Sequence, residues 1–113
     1  MANTQATLLG KLDTAVLAAH AAFNACPIGD PHKTELARQR NIADSTYLQA
    51  IIGGLEAGSD AVDKAAERLD KANQAVNAAL ASAQETAKVL AAVKQAVGFA
   101  IQLAHLAAAV AVA

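Results

Sequence analysis

The chain has 113 residues, enough for a single helical domain over 1–113 that buries about two-thirds of its unfolded surface. Nine basic and ten acidic residues leave a net charge of -1, and aromatic residues make up 3% of the sequence. No field then draws nucleic acid or an acidic surface, and few rings are present to stack on bases, so no nucleic-acid partner is expected.

Hydrophobic residues make up 55% of the chain, and alanine alone supplies more than a quarter of all positions. Alanine is the strongest helix former and the weakest core filler, because it loses no rotamer entropy and buries a single methyl. The fold class that follows is all-α, an antiparallel helical bundle with heptad, alanine-rich coiled-coil packing. Cys26 is the single cysteine, so no internal disulfide can form. The opening segment MANTQATLLGKLD lacks the charged-then-apolar pattern of a signal peptide. The expected location is the cytoplasm, although export by a signal-independent route fits the same sequence.

A first helix is predicted over residues 3–26, with Asn3 or Thr4 as its cap. Its apolar stripe is Leu9, Leu12, Val16, Ala19, Phe23 and Cys26, in steps of three and four. Pro27, Gly29 and Pro31 stop it. Asp30 and Pro31 read as the N-cap and first position of a second helix over 31–53, which Gly53 and Gly54 end. The stripe of this helix is clear late, at Tyr47, Leu48, Ile51, Ile52 and Leu55. It is vague early, where Arg38, Gln39, Arg40 and Asn41 crowd together. The early half is therefore expected to be the wettest stretch, and Arg38, Arg40 and Asp44 form a candidate polar recognition surface.

Ser59 caps a third helix, with Asp60 and Asp63 complementing the dipole of its first turn. From here Val62, Leu69, Val76, Ala83, Leu90, Val97 and Ala104 recur every seven residues. Ala65, Ala72, Ala79, Thr86, Val93, Ala100 and Ala107 follow three places later in each repeat. A heptad held this long is the signature of helices packed knobs into holes. The candidate helix–helix interface is Val62, Leu69, Val76, Ala83, Leu90, Val93, Val97 and Ile101. The unbroken register favours one long helix over 59–112, two shorter helices preceding it. The alternative is a break near Ser82, where Ser82 and Glu85 match a capping box, giving four helices. A continuous helix outruns the cover that two short helices can give. Its later half would then need a second subunit, most simply in an antiparallel dimer.

Chemistry is sparse. His20, Cys26 and His32 are zinc-ligand types, but their spacing matches no finger and no fourth ligand is evident, so no metal and no cofactor is expected. Asp60, Asp63, Glu67 and Asp70 interleave with Lys64, Arg68 and Lys71, the pattern of a solvated helix face. Asn73 and Asn77 sit beside the alanine seam, where they could fix register. No phosphate loop, Ser-His-Asp set or zinc-protease helix occurs, and no enzyme activity is expected. From Gln95 onward the chain carries no formal charge and is just long enough to cross a bilayer. Gln95, Gln102 and His105 are costly in lipid, which favours burial against other helices over a membrane partner. The expected function is a non-catalytic helical assembly or adaptor protein acting through self-association and contacts with helical partners. The alternative is a membrane-active, pore-forming or toxin-like protein that inserts its apolar C-terminal helix.

Overall fold

A computed structural model describes residues 3–82 and 85–108. Its four helices are α1 (Gln5–Ala25), α2 (Lys33–Gly53), α3 (Asp60–Ala81) and α4 (Thr86–Ala107). Each begins or ends for a local reason. The Thr4 hydroxyl accepts from the Thr7 amide at 3.2 Å, and the Thr7 hydroxyl accepts from the Thr4 amide at 2.7 Å, a capping box that opens α1. Pro27 ends it. Asp30 does not cap α2 directly. Its carboxylate accepts from the His32 amide at 2.8 Å in a short turn, and the helix proper begins at Lys33. Ser59 caps α3, its hydroxyl accepting from the Val62 amide at 3.1 Å.

The region expected as one long helix is a hairpin, and the break falls where the alternative reading put it. Ser82, however, closes α3 and does not open α4: its amide and hydroxyl both donate to the Ala78 carbonyl, at 3.0 and 2.7 Å. Glu85 opens α4. No glycine, proline or asparagine forces the break, so burial far along the chain has to supply the reason. Folding back buries Val89, Val93, Val97 and Leu103 with Ala96, Ala100 and Ala107. Each large side chain contributes about 1.5 to 3 kcal/mol when buried, against about 0.5 to 1.5 kcal/mol for each helical hydrogen bond given up at the turn. Part of the apolar stretch that a straight helix would have left for another subunit is covered by its own chain, while Leu106 stays 51% exposed.

The heptad is read differently on the two sides of this turn. In α3 the first and fourth positions Val62, Ala65, Leu69, Ala72 and Val76 are all buried. In α4 the first position Val97 and the fourth positions Val93, Ala100 and Ala107 are buried, Val89, Ala96 and Leu103 join them, and only the first positions Leu90 and Ala104 slip to the flank. A turn resets the rotational phase of a helix, and the pattern that crosses it without a stutter need not describe one face.

α1 lies parallel to α3. Asn3 meets Asp63 at 2.9 Å, Lys11 meets Asp70 at 2.6 Å, and the Asn73 amide donates to the Lys11 carbonyl at 3.3 Å. Around the bundle the order is α1, α2, α4, α3. α1 and α4 also touch across the middle, whereas α2 and α3 do not meet. The section is therefore a flattened rhombus, with α2 and α3 at its two edges. The connector from α2 to α3 crosses one end. Gly54 and Gly58, both at positive φ, bracket Leu55, which is buried. Leu55 pairs with Ala108, and the Glu56 amide donates to the Ala107 carbonyl, pinning the end of α4 to the middle of the chain. Leu8, Leu12, Leu55, Leu69 and Leu103 fill the core at that end, and Leu36, Val76, Val93 and Val97 fill it at the other.

Leu69→Ala should cost about 2 to 5 kcal/mol, whereas Leu90→Ala, at a half-buried flank, should cost under ~2 kcal/mol and Lys71→Ala ~0.5 kcal/mol or less. Denaturant melts of the three variants check the order.

Candidate interaction surface

Phe23 organises the early half of α2. The Lys33 ammonium lies 4.3 Å from the centre of its ring and the Arg40 guanidinium 4.2 Å from it. Lys33 also donates to the Phe23 and Cys26 carbonyls at 3.1 and 2.7 Å, so its charge closes the C-terminal end of α1. Glu35 accepts from Gln39 and from Arg38, both at 3.0 Å, and Gln39 is itself buried. Asp44 pairs with His20 on α1 at 2.8 Å. Arg38, Arg40 and Asp44 are thus engaged by three different neighbours, Glu35, Phe23 and His20.

Of the late stripe expected to be buried, Leu55 is buried and Tyr47 packs against the core, but Leu48, Ile51 and Ile52 are exposed, and the early half is drier than expected. Early in the helix Leu36, Gln39 and Ala43 point inward and are buried. Late in the helix only Ala50 is buried, while Leu48, Ile51 and Ile52 are 57%, 48% and 78% exposed. The clustered late aliphatics read as a core stripe, but helical spacing separates them. Leu48 and Ile52 continue the line of Thr34, Arg38, Asn41 and Ser45, in steps of four and three, and every member of that line faces solvent. Tracing that line, and not the local density of apolar residues, was the signal that could have found this face.

The same face continues onto α1. The contact of His20 with Asp44 sets the register of the two antiparallel helices. One turn further along, Leu17 on α1 comes level with Leu48 on α2, and Leu17 is 62% exposed. All exposed residues of α1 are uncharged, and Arg38 is the only charged one among the exposed residues of α2. α3 is finished in the opposite way, with Asp60, Lys64, Glu67, Arg68 and Lys71 all exposed.

Of the residues expected at helix–helix interfaces, Val62, Leu69, Val76, Val93 and Val97 are buried within the bundle. Leu90 and Ile101 are half-buried, and Ala83 lies outside the described residues. Asn73, next to the seam, is buried with its amide on Lys11. Among the described residues no three His, Cys, Asp or Glu side chains converge to hold a metal ion. His20 faces Asp44, His32 begins α2, and Cys26 is buried between them in the chain. A groove of about 370 Å³ runs beside Cys26, bounded by Ala22, Pro27, Leu80 and Val89, and among the described residues no other titratable side chain lines it. No family model, curated protein or solved structure matches this chain, so its class rests on the fold itself, a four-helix bundle.

Two outcomes follow from the charges. Phe23→Leu keeps apolar bulk but removes the ring under both cations, and should lower stability by about 1 to 2 kcal/mol in a denaturant melt. The bond from Gln39, with help from Arg38, holds the Glu35 carboxyl below its ordinary value, and the His32 amide does the same for Asp30. A carboxyl with a lowered folded pKa stabilises the fold above its unfolded value, and that contribution fades as pH falls through the folded value. The melting temperature should therefore hold from neutral pH to about 5 and drop below about pH 4, less steeply in Glu35→Gln.

Proposed function

We propose that this is a non-catalytic helical assembly or adaptor protein that acts by self-association, most simply as a dimer, and by contact with partner helices. The observation that supports this reading is the outer face of the α1–α2 hairpin, where Leu17, Leu48, Ile51 and Ile52 are exposed beside Arg38 and the half-exposed His20–Asp44 pair. Soluble monomers seldom leave more than a few hundred Å² of contiguous aliphatic surface uncovered. Among the described residues the buried side chains are aliphatic apart from Cys26, Gln39 and Asn73. Sedimentation velocity at micromolar concentration is expected to give a mass that is a multiple of 11.4 kDa. A single species of one chain's mass across that range would remove the reading.

A membrane-active role is the second reading, favoured by one feature. α4 is long and apolar enough to cross a bilayer, and 33% of its most apolar window is buried in the bundle. Insertion would require α4 to give up its packing against the other three helices. Dye release from phospholipid vesicles separates the readings, and intact vesicles are the expected outcome.

A further inference from the structure

We infer that the groove between α3 and α4 docks an amphipathic helix of a different protein, with a carboxylate of that helix on Arg68 and its aliphatic edge on Phe99. This rests on the partner-helix half of the proposed function and makes no use of the self-association half.

Charge on α3 is sorted by side. Asp60, Asp63, Glu67 and Asp70 recur in steps of three, four and three, and their line is turned toward α1, where Asp63 accepts from Asn3 at 2.9 Å and Asp70 from Lys11 at 2.6 Å. Lys64, Arg68 and Lys71 recur one position later in steps of four and three, so they lie on the side toward α4. The opposite bank does not neutralise them, because α4 contains no aspartate or glutamate. At the turn end Lys88 and Glu85 stand three residues apart and offset each other. Lys71 shares its charge with Glu67 at 3.3 Å. Among the described residues, neither Lys64 nor Arg68 meets a carboxylate within ion-pair distance.

Between the two banks lies a groove of about 260 Å³. Arg68 and Lys71 edge it on α3, Gln95 and the half-buried Phe99 edge it on α4, and the methyl groups of Ala72 and Ala75 line it between them. Leu106, two turns beyond Phe99 on the same bank, is 51% exposed and carries the apolar edge onward. One bank thus offers an unpaired guanidinium and the other an aromatic and aliphatic rim.

Width decides the occupant. The charge changes sign across α3 within one helix diameter of ~10 Å, about the distance over which salt screens a charge, so a broad anionic surface meets Asp60 and Glu67 together with the bases. A single helix lying in the groove meets the bases alone. A second copy set groove to groove by a two-fold axis brings either the same bases or the uncharged α4 bank to Arg68, and no carboxylate. A helix with glutamate on one flank and leucine beside it supplies both halves of the match, since guanidinium holds carboxylate through two parallel hydrogen bonds.

The experiment uses two synthetic helices of ~20 residues, long enough to lie along α3 and α4 at ~1.5 Å per residue. Both repeat leucine and alanine on one face, and one carries glutamate on its flank where the other carries lysine. Fluorescence anisotropy of each labelled helix is followed as the full chain is added, for the wild type, for Arg68→Glu and for Lys94→Glu. Lys94 is the control, because it makes the same change of charge on the side of α4 that faces Glu35 of α2. Both positions are exposed, and circular dichroism confirms folding. The glutamate helix is expected to bind the wild type at least ~10-fold more tightly than the lysine helix, to lose at least ~10-fold in Arg68→Glu, and to stay within ~2-fold in Lys94→Glu. Equal binding of the two helices, binding of neither, or equal losses in the two variants overturns the assignment of this groove, while a sedimenting species of more than one chain would still leave self-association standing. Wild type that sediments with phosphatidylserine and phosphatidylcholine vesicles, when Arg68→Glu does not, would give the basic line to a membrane surface instead.

Discussion

The close approach of α1 and α4 across the middle of the bundle sets most of what surrounds it. Alanine supplies much of the inner face of both, at Ala15, Ala18, Ala19 and Ala22 on one and Ala96, Ala100 and Ala107 on the other. Small side chains let two helices that are not neighbours around the ring come into contact. The remaining pair is pushed outward, so α2 and α3 become edges that never meet. A square bundle with larger core residues would have buried more of each helix. The thin, flattened section leaves two broad outer faces, and their finish then decides how the molecule meets its surroundings.

Helix content, helix ends and the inner line of α3 were legible in the sequence because each has a local cause. Thr4, Pro27, Gly54 and Ser59 act within one turn of themselves, and Val62, Leu69 and Val76 fall on one face by simple periodicity. The hairpin between α3 and α4 has no such cause. It exists because α4 is more stable against α1 and α2 than extended away from them, and that comparison involves residues far apart in the chain. The unbroken heptad named most of the buried positions in both helices, and it misled only about continuity, for the same reason. Each of two antiparallel helices needs an inner face, so a seven-residue pattern persists through a turn even though its phase changes from Leu90 to Val89.

The early half of α2 and its late aliphatics were misread on a physical ground that sequence patterning does not carry. Charged and amide side chains are long enough to be satisfied locally, and here Phe23, Glu35 and His20 accept Lys33, Arg40, Gln39 and Asp44 into a packed polar layer. That layer leaves Leu36 and Ala43 free to point inward beneath it. Leu48 and Ile52 lie on the far side of the helix from this inner line, and clustering near the C-terminus of α2 did not turn them inward. A dense aliphatic run is evidence of burial only when its members share a face.

The clasp of Leu55 and Glu56 on Ala107 and Ala108 has a consequence for the order in which the chain can fold. α1 and α2 are joined by a short turn, and contacts close in sequence form quickly. The connector at the end of α2, however, finds its partners more than fifty positions later, at the last residues of α4. During synthesis α3 can cover part of the inner side of this hairpin, but the rest stays open until α4 has been made. Closing the end of the bundle is then the last event, and until it happens the inner and outer surfaces of that hairpin compete for the same partners.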